Sequence, residues 1–103
     1  AAPASLDGGL TSGLQEDFLA HPTAAANKLL SIIDNAEYIL AIELMAAAQA
    51  HDLVSSTARR SIGTNMIHAA VRKVVSHYAD DRALSHDMEQ VRALIRHMPP
   101  PVA

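Results

Sequence analysis

Ala24-Ala25-Ala26-Asn27-Lys28-Leu29-Leu30-Ser31-Ile32-Ile33-Asp34-Asn35-Ala36-Glu37-Tyr38-Ile39-Leu40-Ala41-Ile42-Glu43-Leu44-Met45-Ala46-Ala47-Ala48-Gln49-Ala50-His51-Asp52 decides the fold of this chain. The run holds no glycine and no proline, it is rich in good helix formers, and Thr23 precedes it as a capping residue after Pro22. At the rise of an α-helix this is a rod about 40 Å long. In its first half Leu29, Leu30, Ile32, Ile33 and Ala36 leave Lys28, Asp34 and Glu37 for a polar face. From Ile39 to Ala50 it is apolar nearly all round, the pattern of a helix buried on every side. A membrane span needs about 20 mostly uncharged residues, and Glu37 and Glu43 interrupt the run, so burial in a helical bundle is the reading that fits.

Outward from the rod, residues 1–22 read as a loop, because Pro3, Gly8, Gly9 and Gly13 punctuate a stretch with no sustained period. A loop of that length calls for a partner or a function. After the long helix, 23–52, the polar Leu53 to Ser61 is a connection containing Arg59-Arg60. Residues 62–98 then carry two shorter helices. Gly63-Thr64 opens one, over Asn65 to about Tyr78, with Ile67, Val71, Val74 and Val75 on its face. Ser85 caps the other, with Val91, Leu94 and Ile95 inward and His97 and Pro99-Pro100-Pro101 at its end. The expected fold is all-α: one long buried helix plus shorter helices.

The composition narrows the function classes. At 103 residues the chain is at most one domain and buries roughly two-thirds of its unfolded surface. One Phe, two Tyr and no Trp leave a core of aliphatic side chains, which suits packed helices. A net charge of -3 gives no electrostatic footprint for nucleic acid or an anionic membrane. The absence of cysteine excludes disulfides and thiolate chemistry and points to a cytoplasmic protein. Ala1-Ala2-Pro3-Ala4-Ser5 has no Met, no basic region and no apolar run of a secretory signal, and reads as a start made by processing or cutting.

Six histidines invite a metal reading, which their spacing opposes. His68, His77 and His86 are nine apart, and at about 100° per residue successive positions fall on opposite faces of one helix. They read as surface or partly buried histidines, and no metal is expected. No serine sits in a nucleophile elbow, Gly8-Gly9 lacks the residues of a phosphate-binding loop, and a helix splays the neighbours His51 and Asp52 apart. Arg59-Arg60 and Arg72-Lys73 read as solvated or ion-paired faces. What remains is Gln15-Glu16-Asp17, an amide and two acids in the glycine-bearing loop.

The flanks of that tripeptide carry a resemblance. Pro3-Ala4-Ser5-Leu6-Asp7-Gly8-Gly9-Leu10-Thr11-Ser12-Gly13-Leu14-Gln15-Glu16-Asp17-Phe18 is similar, without a gap, to the Pro-Ala-Ser-Val-Asp-Ser-Ile-Pro-Thr-Ser-Ala-Asn-Gln-Glu-Asp-His of the histidine and aromatic amino-acid ammonia-lyases. Asp34-Asn35-Ala36-Glu37, the Leu40 to Gln49 run, Gly63-Thr64 and Asp81-Arg82-Ala83-Leu84-Ser85-His86-Asp87 also resemble that family. The resemblance spans almost the whole chain and only the C-terminal part of a family protein. Leu14 stands where the family has Asn, Phe18 where it has His, and Leu19-Ala20-His21 where it has Val-Ser-Met.

The resemblance implies elimination of ammonia from an α-amino acid by an enzyme whose methylidene-imidazolone prosthetic group forms from an internal Ala-Ser-Gly. No such tripeptide is present here: Ala4-Ser5 is followed by Leu6, and Thr11-Ser12-Gly13 falls in the Gln-Glu loop. The cofactor is therefore expected upstream, with none formed by this chain, which is inactive alone. By the same resemblance Gln15 and Glu16 bind substrate, Gln15 as hydrogen-bond donor and acceptor and Glu16 as charge partner or proton acceptor, the catalytic residue of this segment. Family members with Gln-Glu act on histidine, giving urocanate. Those with Asn-Gln act on phenylalanine or tyrosine, and a lyase or aminomutase of that kind stays open, as does a stand-alone helical oligomerisation module. The implied partners are the rest of the parent polypeptide, further copies in a homotetramer, and the amino-acid substrate.

Overall fold

The computed structural model describes residues 2–3, 21–54 and 61–98. Every regular element among them is an α-helix: α1 Pro22–Leu53, α2 Ile62–Val74 and α3 Ser85–His97. The all-α expectation holds. The chain divides into two compact units, Ala1–Ala36 and Glu37–Ala103, and α1 belongs to both.

Helix ends follow local chemistry, with four shifts from the sequence reading, the first being that Thr23, the expected cap of α1, lies inside it. α1 begins at Pro22, whose ring presets the helical φ and whose missing N–H costs nothing in a first turn; the Ala25 N–H bonds the His21 carbonyl at 2.9 Å. α2 begins at Ile62, earlier than Gly63-Thr64 suggested, because Ser61 is its cap: the Ser61 hydroxyl accepts the Thr64 N–H at 3.1 Å. It ends at Val74 rather than near Tyr78, since Val75 turns to extended backbone. In α3 Ser85 is the first helical residue, and Leu84 before it caps without a side-chain bond. Asp87 instead places a carboxylate in the first turn and pairs with Arg82 at 2.5 Å.

The core lies in the second unit. Ala41, Met45 and Ala48 recur at helical spacing along one stripe of α1 and meet Val71 and Val75 of the α2 end and Val91 of α3. Leu44, Leu84, Met88, Leu94 and Ile95 pack around them. Alanine at two of the three α1 positions brings the helix backbone close to its neighbours, and three valines fill the remaining space.

Burial of the Ile39 to Ala50 segment is one-sided, which corrects the expectation of burial all round. Ile39 is 64% exposed and Leu40 48%, while Ala41 is fully buried. Two short helices cover one stripe of a longer rod and no more. In the first unit Leu29, Leu30, Ile32 and Ile33 are likewise exposed. No helix among the described residues is long and apolar enough to cross a membrane.

Candidate functional site

Gln15 and Glu16, the site residues expected from the sequence, lie outside the described residues, as do Gly8, Gly9, Gly13 and Arg59-Arg60. The described residues gather their polar chemistry at three places.

The first is Asp52, in the last turn of α1. A carboxylate there meets the negative end of the helix dipole and needs donors to offset it. His68 Nε2 donates to Oδ1 at 2.6 Å. Arg72 grips Oδ2 through Nε and Nη2, both at 2.8 Å, and His77 Nδ1 reaches the same oxygen at 3.2 Å. Arg72 also donates to the Gln49 side chain at 3.0 Å and the Val75 carbonyl at 3.2 Å, while the Gln49 amide donates to the Tyr78 carbonyl at 2.8 Å. Burial pushes the Asp52 carboxyl upward and is the largest single influence. The donors His68, His77 and Arg72 together outweigh it and hold the group at about 2.

Sequence spacing separated His68 from His77, and the structure brings both to one carboxylate. The helix ends at Val74, so the opposite-faces rule stops applying before His77, which returns on extended chain. Arg72 is ion-paired, one of the two alternatives read from the sequence. Among the described residues no group of three or more acidic or imidazole side chains is arranged to hold a metal ion.

The second place joins α1 to α3. Glu37 accepts from Arg92 Nε at 3.0 Å and Arg96 Nε at 2.7 Å, two arginines one turn apart. The adjacent Tyr38 donates its phenol to Glu89 in a short hydrogen bond, and the Arg92 guanidinium lies 4.2 Å from the Tyr38 ring centroid. That bond to Glu89 pushes the Tyr38 phenol up. Both networks spend their donors on acceptors of this chain, and their effect is to lock α2 and α3 onto α1.

The third place, in the first unit, is different. His21 has φ 46, the left-handed region that costs a residue with a side chain of order 1 kcal/mol. Its Nε2 is buried and has no hydrogen-bond partner among the described residues. His21 borders an open cleft of about 460 Å³ shared with Thr23, Ala24 and Asn27 of the first turns of α1.

The family profile of aromatic amino acid lyases matches residues 1–73, which takes in the Gln15-Glu16 stretch of sequence, all of α1 and most of α2. The chain belongs to the aromatic amino acid lyase family. Among curated aromatic amino acid lyases it is similar to the histidine ammonia-lyase of Natranaerobius thermophilus, 44% identical over 95 residues that make up 92% of this chain and 18% of that protein. The histidine ammonia-lyase of Koribacter versatilis is 42% identical over 91% of the chain and 18% of its own length, and that of Desulfotalea psychrophila 41% identical over 93% and 19%. The chain thus spans about a fifth of the length of these relatives. No solved structure matches it.

Proposed function

We propose that this chain is the C-terminal part of a histidine ammonia-lyase, and that the whole protein eliminates ammonia from L-histidine to give urocanate without oxidation. The observation that carries the reading is the identity with proteins named histidine ammonia-lyase along more than nine-tenths of the chain, with Gln15-Glu16 inside the matched stretch. A carboxylate beside a basic imidazole substrate is electrostatically apt, whereas an apolar phenyl ring would leave it unpaired.

Methylidene-imidazolone, the electrophile of this family, needs an Ala-Ser-Gly precursor, and no such tripeptide stands in the 103 residues. The residues here do not make that group, which belongs to the rest of the polypeptide, and this chain alone is inactive. Its own contribution is a pocket wall. Gln15 orients the substrate by hydrogen bonding, and Glu16 neutralises the imidazole or amine or takes a proton from it. The uncovered apolar side chains of α1 suit a helix that finishes its burial against the rest of the polypeptide and further copies in a homo-oligomer, a cytoplasmic tetramer by analogy with the family.

Glu16→Gln in the full-length protein tests this reading. It removes the charge and keeps the shape, so turnover of histidine should fall by about 100-fold or more while the fold persists. Unchanged turnover would take Glu16 out of the site. Preferential turnover of phenylalanine or tyrosine would replace histidine as the substrate.

A further inference from the structure

We propose that the exposed face of α1 within the second unit docks a long helix from the rest of the parent polypeptide, an assignment that rests on reading the chain as the C-terminal part of a longer lyase. Ile39, Glu43, Ala46, Ala50 and Leu53 follow one another at steps of four, three, four and three, the seam spacing of two packed helices. At about 100° per residue this seam lies across the helix from Ala41, Met45 and Ala48, the stripe that the core of this chain covers. All five seam residues are exposed, Ile39 at 64% and Leu53 at 75%, and Leu40 beside them is exposed too. One helix therefore carries two packing stripes, and this chain covers only the first.

The spacing calls for a helix as the occupant, and Ala46 and Ala50 put nothing beyond Cβ in its way, so the two axes can approach to about 8–10 Å. Glu43 sets the charge of that helix. It has no hydrogen-bond or ion-pair partner among the described residues, and a carboxylate enclosed between two helices needs a counter-charge. The docking helix accordingly presents a lysine or arginine at Glu43. Residues 39–54 contain neither, so the same face of a second copy would enclose two carboxylates and supply no such cation. The remaining polypeptide can supply it, since this chain spans only 18% of the related lyases.

The experiment uses the full-length protein with Leu40 replaced by the photo-reactive p-benzoylphenylalanine, and mass spectrometry identifies the peptide it captures. Irradiation should join position 40 to a helical segment of the same chain outside these 103 residues, with a lysine or arginine within about two turns of the captured residue. Capture of a second chain, or of a segment without a basic residue, overturns the proposal. Leu53 takes the photo-reactive group if the first variant fails to fold. Independently, the thiol of Ala46→Cys should react with a maleimide about 100-fold more slowly in the native protein than in urea. Equal rates would show an open face and overturn the proposal as well. Neither readout involves turnover. Deamination of phenylalanine instead of histidine would change the substrate and leave this face in place, whereas capture of a second chain by an active histidine lyase would overturn the docking alone.

Discussion

Asp52 accepts the Nε2–H of His68 at 2.6 Å across sixteen residues of chain, and that contact ties the end of α1 to the middle of α2. The proton therefore sits on Nε2, because a carboxylate can only accept. With Arg72 on the other oxygen, Asp52 is the polar counterpart of the apolar core that Ala48 of α1 and Val71 of α2 share.

The Asp52 carboxyl is held at about 2, below the ordinary carboxylate value near 4. Between those values the unfolded chain binds a proton that the folded chain refuses. The stabilisation is therefore complete above about pH 4 and lost as pH falls through about 2. A carboxyl-carbon NMR titration of Asp52 in the full-length protein should show this midpoint. His68→Ala should move it upward by removing the hydrogen bond to Oδ1, and a midpoint near 4 in the unsubstituted protein would contradict the geometry.

Asp52→Asn leaves Arg72 beside a neutral amide in a partly buried position. The expected loss is about 1–2 kcal/mol, seen as roughly tenfold faster hydrogen exchange of the α2 amides. Exchange confined to its former rate would show that α2 is held by apolar contacts alone.

Glu37 and Arg92 are both more than four-fifths buried at their side chains, so this pair should couple more strongly than an exposed one. A double-mutant cycle with Glu37→Gln and Arg92→Gln should return about 1 kcal/mol of interaction. Arg92→Lys should not restore it, because an ammonium cannot both meet Glu37 and lie flat on Tyr38.

Val91 is fully buried where α3 meets the core. Val91→Ala removes two carbons and leaves a void, at a cost of about 2 kcal/mol. The drop in unfolding midpoint should exceed that of Val74→Ala, because Val74 remains 37% exposed.

Much of the fold was legible in the residues. A run without breakers from Ala24 to Asp52 is enough to predict a helix, and spacing alone turns Val71, Val91, Leu94 and Ile95 inward, as the core contacts bear out. Sequence puts the start of α2 too late because Ser61 lies within a polar stretch that looks like a connection, and a capping geometry has no periodic signal. Gln15 and Glu16 came from register with a family, and their place in space lies outside the described residues.

Sequence by itself determined the helices and the family, because both depend on the order of side chains along one local run. Only the tertiary structure decided that Asp52, His68, Arg72 and His77 form one cluster, and that Glu37 takes two arginines from α3. It also decided that Ile39 to Ala50 is covered on one stripe rather than all round. Those outcomes depend on where α2 stops and the chain turns back, and on how much surface two short helices can cover on a longer one. Neither quantity is written in the period of a single segment.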